Sequence, residues 1–372
     1  MSEAPVVVAA LRTPVGTAGR SLAGVSAADL AAPVLARLAA DVGTPQEVLL
    51  GNCMGPGGDL ARVAALQAGL DVPALTVDRQ CASGLAAVVT AATTLRSENG
   101  LILAGGVESV STAPWRYWPP EAGHEPTRYE RAPFAPASVG DPDMGLANDL
   151  FAEERGVSRE AQDEYAVRSH TRAFATSSTG GFDAEVVPVA GVTRDERPRA
   201  GLTVERLGRL RPAFRAGGTV TAGNACGIND GAAVVALVDS DTHRRLGRPG
   251  LRVRAVATAA CDPNRPGYGL VPATRLALAR AGMGLDDVDV VELNEAFAGQ
   301  VLACCAELSL SPDRVCPEGG ALGLGHPWGA SGAVLLVRLY AQLVGRGTGS
   351  TGLAAIAAGG GQGVAVVVEV AR

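Results

Sequence analysis

Short apolar runs alternate along the chain with longer segments whose apolar residues recur at helical spacing, a pattern of mixed α/β layers with buried strands. The runs "PVVVAAL", "EVLLGN", "GLILAGG", "VVALVDS", "VDVVELN" and "AVVVEVA" predict strands. Between them, "SAADLAAPVLARLAAD" predicts a helix that Ser26 caps, and "SREAQDEYAVRSHTRAFAT" a helix opened by Ser158 with Glu160 in its first turn. From about residue 117 to 215 the composition turns to proline, arginine and acidic residues. That stretch reads as an insertion over the core, in a position to form a lid.

The two ends of the chain resemble each other. "CASGLAAVVTAATTL" followed by "LILAGGVES" has a counterpart in "GASGAVLLVRLYAQL" followed by "LAAIAAGGGQG". In both, an Ala-Ser-Gly turn opens an apolar helix and a buried strand then ends in glycines. The pattern reads as an internal duplication, with Cys81 at the helix start in one half and Gly329 in the other, against chance likeness of alanine- and glycine-rich strings.

Composition narrows the function. With 372 residues, 47% of them hydrophobic, and 48 glycines, the chain buries a large core in two or three units. A net charge of -6 gives no electrostatic reason to expect a nucleic-acid or acidic-membrane partner. Every basic residue is arginine, which removes lysine bases and Schiff bases from consideration. The opening "MSEAPVVVAALRTPVG" fits neither signal peptide nor membrane span, so a cytoplasmic location is expected. Seven cysteines at irregular spacings suggest reduced thiols, and no ligand spacing suggests a metal. Cys304 and Cys305, adjacent in an apolar helical pattern, read as small buried hydrophobes.

Three places carry candidate chemistry. Cys81 in "DRQCASGL" precedes a helical run, where orphan N–H groups and the helix dipole favour a thiolate; a small buried residue is the plain alternative. His326 in "GGALGLGHPWGASG" lies among glycines that admit close backbone approach to a ligand. A phosphate loop would place glycines there too, but the chain has neither GxxxxGK[ST] nor any lysine. Asn294 and Glu295 in "VELNEAFAG" directly follow a buried strand, where side chains reach a cleft, and Asn294 also suits a helix N-cap.

Together with "RTPVG", "AGGVES", "MGLANDLFAEERGVSREAQDEYA", "GTVTAGNACGINDGAA", "VPATRLAL" and "AGGGQG", these motifs make the sequence resemble the thiolase family of CoA-dependent acyltransferases over essentially its whole length. The resemblance implies a five-layered α/β/α/β/α fold of two duplicated halves, here 1–248 and 249–372, with a loop domain inserted in the first. It implies CoA thioesters as substrates, no covalently bound cofactor, and assembly as a homodimer or homotetramer. It assigns Cys81 as the nucleophile that becomes a thioester and His326 as the group that activates the sulfur and hydrogen-bonds the thioester oxygen. Asn294 would position a water in that first oxyanion hole, and the backbone N–H groups of Cys81 and Gly359 would form a second.

The resemblance also marks departures. Thiolases usually place an acid/base cysteine two residues before the triple glycine, and alignment through the glycines puts Ala357 there. A methyl group accepts no proton, and general acid/base groups contribute about a hundred- to ten-thousandfold. Cys226 stands where a serine usually faces the pantetheine arm; Cys226, Cys316 and Glu295 are candidates for compensation, with structural roles the simpler reading. Trp328 replaces an aliphatic residue and can narrow the acyl pocket, and Met144 matches a position near the acyl group. The first expectation is an acetyl-CoA acetyltransferase or 3-ketoacyl-CoA thiolase. A decarboxylative ketosynthase-like enzyme or another acyltransferase, with a carrier protein as partner, is the alternative. A thiolase-fold protein that binds CoA esters or a partner subunit without useful turnover is the third.

Overall fold

The computed structural model describes residues 4–372; the first three residues of the opening segment, read above for a leader, lie outside them. The first half contains β1 (Val6–Arg12), β2 (Gly16–Thr17), α1 (Ala27–Val42), β3 (Glu47–Gly51), α2 (Leu60–Gln67), β4 (Ala74–Val77), α3 (Ser83–Thr94) and β5 (Leu101–Glu108). The chain then runs through β6 (Arg116–Trp118), β7 (Thr127–Tyr129), α4 (Met144–Glu154), α5 (Arg159–Ser178) and α6 (Val204–Gly208) before β8 (Asn229–Val238) and α7 (Ser240–Leu246). The second half follows with β9 (Gly250–Ala260), α8 (Leu270–Ala281), β10 (Val290–Leu293), α9 (Ala298–Leu308), α10 (Ala321–Leu324), α11 (Trp328–Tyr340), β11 (Thr351–Ala358) and β12 (Gln362–Ala371).

The strands order β10-β11-β12-β9-β1-β8-β5-β3-β4, and the strands of the two halves join where Val6 and Val7 pair with Arg252 and Leu251. Reading outward from that seam, β1-β8-β5-β3 matches β9-β12-β11-β10, the duplication seen in the sequence. Each strand alternates its side chains between two apolar layers, so three cores form. Val6 and Val8 pack with α1 and α2, whereas Val7 packs in the central layer with α3 and α11. The outer face of the second sheet packs with α8 and α9. These are the five layers α/β/α/β/α.

Ser26 and Ser158 cap α1 and α5 by accepting from the Asp29 and Ala161 amides. The six apolar runs all form strands. β9 escaped that reading because Arg252 and Arg254 interrupt its apolar residues, and β4 because it is short and half-buried.

In the central layer α3 and α11 touch through glycine. A Cβ on Gly84 would lie 2.6 Å from the Gly329 carbonyl oxygen, and one on Gly332 would lie 2.6 Å from the Leu85 amide nitrogen. The Ala-Ser-Gly repeats are therefore the contact between the two helices, and they bring both N-terminal ends together. Because those obstacles are backbone atoms, Gly332→Ala should destabilise the protein by about 1–3 kcal/mol in urea titration. Gly208→Ala, at an open position, should change stability by less than about 1 kcal/mol; equal effects would show that the helix contact is not tight.

Candidate active site

Cys81 sits two residues ahead of α3 on a pinned turn. Ser83 Oγ accepts from the Arg79 amide at 2.7 Å and donates to the Gln80 carbonyl at 2.6 Å. Gln80 has φ 49°, a left-handed conformation that costs a non-glycine residue energy and that the surrounding bonds hold in place. The helix end does not make Cys81 a ready thiolate. Burial pushes its pKa up to about 12, with Cys226, Glu108 and Asp78 adding in the same direction and only its own backbone N–H opposing. Desolvation and the neighbouring Glu108 and Asp78 thus oppose the thiolate that the helix start favours.

His326 stands immediately before the Pro327 that opens α11, and it is 2% exposed. Its amide donates to Asn229 Oδ1 at 3.0 Å, and its Nδ1 lies 2.6 Å from Ser331 Oγ. Ser331 gives its one hydroxyl proton to the Pro327 carbonyl at 2.9 Å, so it accepts from Nδ1–H. That assigns the tautomer and leaves Nε2 with its lone pair. Burial lowers the imidazole to about 3, so the ring is neutral at working pH.

Asn294 follows β10 and points its Nδ2 toward His326 Nε2 at 3.5 Å, a long contact. It does not cap α9: the cap position is Phe297, where no side-chain bond is made. Glu295 is engaged elsewhere, accepting from Tyr165 Oη at 2.8 Å, Ser169 Oγ at 2.6 Å and the Leu322 amide at 3.2 Å. It fastens the inserted α5 to the segment that leads into His326.

The segment around Cys226 completes one wall. Its amide donates to the Ala296 carbonyl at 2.9 Å, and Ile228 forms a bridge with His326. Burial pushes the Cys226 thiol up to about 12, and only the Arg197 guanidinium and its own backbone N–H work against this. Arg197 joins Thr17, Arg20, Glu196 and Arg199 around a pocket of about 340 Å³.

The glycine run after β11 lies under the insertion. A Cβ on Gly359 would meet the Phe134 ring at 2.5 Å, and Gly360 and Gly361 have φ 77° and 73°, so bare backbone is required at all three. Ala357 is 9% exposed and packs in the outer apolar layer. Cys316 is buried with its thiol 3.2 Å from the Leu293 carbonyl. Cys304 and Cys305 are buried in α9. Met144 and Trp328 open α4 and α11, each partly exposed.

Two residues that sequence reasoning passed over hold the helix ends. Ser331, five residues beyond His326, was visible only as a small residue in the repeat. Glu108 is fully buried and accepts from the Asn52 side chain and the amides of Cys53, Met54 and Gly329, so its carboxyl caps the start of α11. Its place in "AGGVES", at a strand end, was the available signal.

A half-buried thiol and a neutral imidazole thus stand at the starts of two helices that touch. The family described as Thiolase, N-terminal domain matches residues 5–241, and Thiolase, C-terminal domain matches residues 248–370. The acetyl-CoA acetyltransferase of Pseudomonas aeruginosa is 42% identical over 390 residues, covering 98% of each chain. A probable acetyl-CoA acyltransferase of Staphylococcus aureus is 40% identical over 388 residues, again covering 98% of each. The crystal structure of the Bacillus anthracis acetyl-CoA acetyltransferase superposes with a TM-score of 0.91 at 36% identity, covering 100% of this chain and 99% of that one. The chain belongs to the thiolase family, and with it to the acyltransferases.

With its pKa near 12, Cys81 should be alkylated by iodoacetamide at a rate that keeps rising with pH well beyond the ordinary thiol range of about 8.5. Intact mass against pH checks this, and a plateau near or below pH 9 would mean that the helix end stabilises the thiolate after all.

Proposed function

We propose that the protein is an acyl-CoA-dependent acyltransferase of the acetyl-CoA C-acetyltransferase or 3-ketoacyl-CoA thiolase type, carrying the acyl group as a thioester on Cys81. The observation that carries this reading is the bonded series from the Pro327 carbonyl through Ser331 to His326 Nδ1, which leaves Nε2 as a base beside the paired helix ends. As Cys81 Sγ attacks the acyl carbonyl, its proton passes to Nε2. The tetrahedral intermediate then collapses, and the departing CoA sulfur takes that proton.

His326 with a water held by Asn294 is the first oxyanion site in this reading, and the N–H groups of Cys81 and Gly359 are the second. Donors preset for charge that develops only in the transition state act strongly in a dry site, each being worth on the order of a hundredfold. The pocket with Arg20, Arg197 and Arg199, beside Cys226, supports a substrate that carries phosphates. Met144 and Trp328 would shape the acyl end. We take the working form to be a homodimer or homotetramer.

Ala357 favours a second reading of the later half-reaction. Its methyl takes the place of an acid/base thiol, so an acyl-enzyme could form and then pass its acyl group to an acceptor needing no α-proton base. A malonyl thioester that decarboxylates, on CoA or a carrier protein, or an amine or alcohol would serve.

Acetoacetyl-CoA cleavage by CoA, followed with intact mass of the enzyme, separates these outcomes. Turnover abolished by Cys81→Ala supports the thiolase reading, and Ala357→Cys should then raise the thiolysis rate by about a hundredfold. Acylated Cys81 that accumulates without thiolysis points to another acceptor. Wild-type protein that neither acylates nor turns over refutes the enzyme reading.

A further inference from the structure

Between β10, α11 and the segment that leads into His326 lies a small polar pocket. It has a volume of about 20 Å³ and is lined by Glu292, Asn294, Ser331 and Arg338 among small and apolar residues. This is room for one water. Glu292 in β10 and Asn294 just after its end, two residues apart, both line this pocket. Ser331, Val334, Leu335 and Arg338 form the facing stripe of α11. The pocket thus touches the hydroxyl that holds His326 Nδ1 at one end and a carboxyl with no part in the site described above at the other.

Glu292 is 1% exposed. One carboxyl oxygen accepts from Gln342 Nε2 at 2.7 Å, and no arginine forms an ion pair with it among the described residues. The guanidinium of Arg338 is committed to Glu185 and Glu318, while its Nε is buried without a partner. A buried carboxyl, an unpartnered buried N–H and a hydroxyl around one water-sized space are a set of groups that a single water would satisfy.

Resting on the acyl-enzyme reading above, we propose that a water in this pocket joins Ser331 Oγ to the Glu292 carboxylate, making Glu292 the final proton acceptor for the Cys81–His326 pair. As the bond from Cys81 Sγ to the acyl carbon forms, the Sγ proton passes to His326 Nε2. The Ser331 hydroxyl turns from the Pro327 carbonyl to the water, the Nδ1 proton moves to Ser331 Oγ as the hydroxyl proton passes to the water, and a proton of the water goes to a Glu292 oxygen. The series runs backward when the CoA sulfur leaves and takes a proton from Nε2. Each group ends as it began.

Electrostatics explains why such an acceptor matters. Burial disfavours a charged imidazole, and a ring that gives up its Nδ1 proton as Nε2 gains one stays neutral throughout. Glu292 is pushed up to about 7, chiefly by burial, with Arg338, Gln342 and the Cys316 thiol lowering it and Glu295 raising it. It is a far better resting place for the proton than the ring. Glu292 is a positioning residue in this scheme, since it acts through Ser331 and His326 and touches no substrate.

Single-turnover acylation of Cys81 by acetyl-CoA, read by quenched intact mass across a pH series, tests the proposal. In the wild type the rate should fall as pH drops through about 7, where Glu292 becomes protonated and can accept nothing more. Glu292→Gln should slow acylation by roughly ten- to a hundredfold and abolish that inflection, and Glu292→Asp should restore part of both. The double variant Glu292→Gln with Ser331→Ala should be no slower than Ser331→Ala alone, because both break one series. An unchanged inflection in Glu292→Gln, or additive losses in the double variant, overturns the proposal. A variant that fails to fold leaves Glu292→Asp and Ser331→Ala to decide by the same inflection. Absence of any Cys81 adduct in the wild type would instead overturn the acyl-enzyme reading, and the relay with it.

Discussion

The rest of the molecule depends on the approach of α3 to α11 through bare backbone. Gly84 faces the Gly329 carbonyl and Gly332 faces Leu85, at separations that leave no room for a methyl group. The strand layers on either side are also tight against this pair: a Cβ on Gly106 of β5 would lie 1.9 Å from the Gly329 carbonyl oxygen. Close packing of this kind fixes where helices begin as well as how they cross. Since Cys81 lies just before one helix and His326 just before the other, the same contact that closes the central core sets where both residues stand.

Burial sets the electrostatics around that pair. It drives His326 neutral and Cys81 protonated, and it makes every nearby carboxyl find donors. Glu108 is satisfied by backbone amides at the start of α11, and Glu295 by Tyr165, Ser169 and the Leu322 amide. Farther out, Arg12 is held bidentate by Asp195 and also by Glu185, which in turn binds Arg338. Removing one member of such a buried set strands a charge, so these groups fix the geometry more than they add net stability. The use of arginine alone suits this, because a planar guanidinium can serve several carboxylates at once.

Much of the fold was legible because its signals are local. Continuous valine, leucine and alanine runs belong to strands buried on both faces, and capping serines marked the starts of α1 and α5. β9 was obscured because Arg252 and Arg254 interrupt its apolar residues, while Leu251, Val253, Ala255 and Ala257 are buried. At the site, Cys81, His326 and Asn294 stood out by residue type and by glycine-rich surroundings. Ser331, Glu108 and Glu292 did not, since a serine in a small-residue repeat and acids next to strand residues look ordinary until their partners are known. The upward pull on the Cys81 thiol was not legible, because a helix end is visible in sequence and desolvation is not.

The sequence by itself determined the two-fold repeat, the order of strands and helices within it, and the few residues able to do chemistry. These follow from periodicity, capping and residue type, all of which act over a few neighbouring positions. Only the tertiary structure decided which hydroxyl holds His326, which carboxyl caps α11, and how far burial moves each ionisable group. Ser331 lies five residues from His326, but Glu108 reaches Gly329 across 221 residues, and Glu292 meets Arg338 and Ser331 only where β10 packs on α11. Desolvation depends on everything that surrounds a group at once, so no stretch of chain, however telling, carries it.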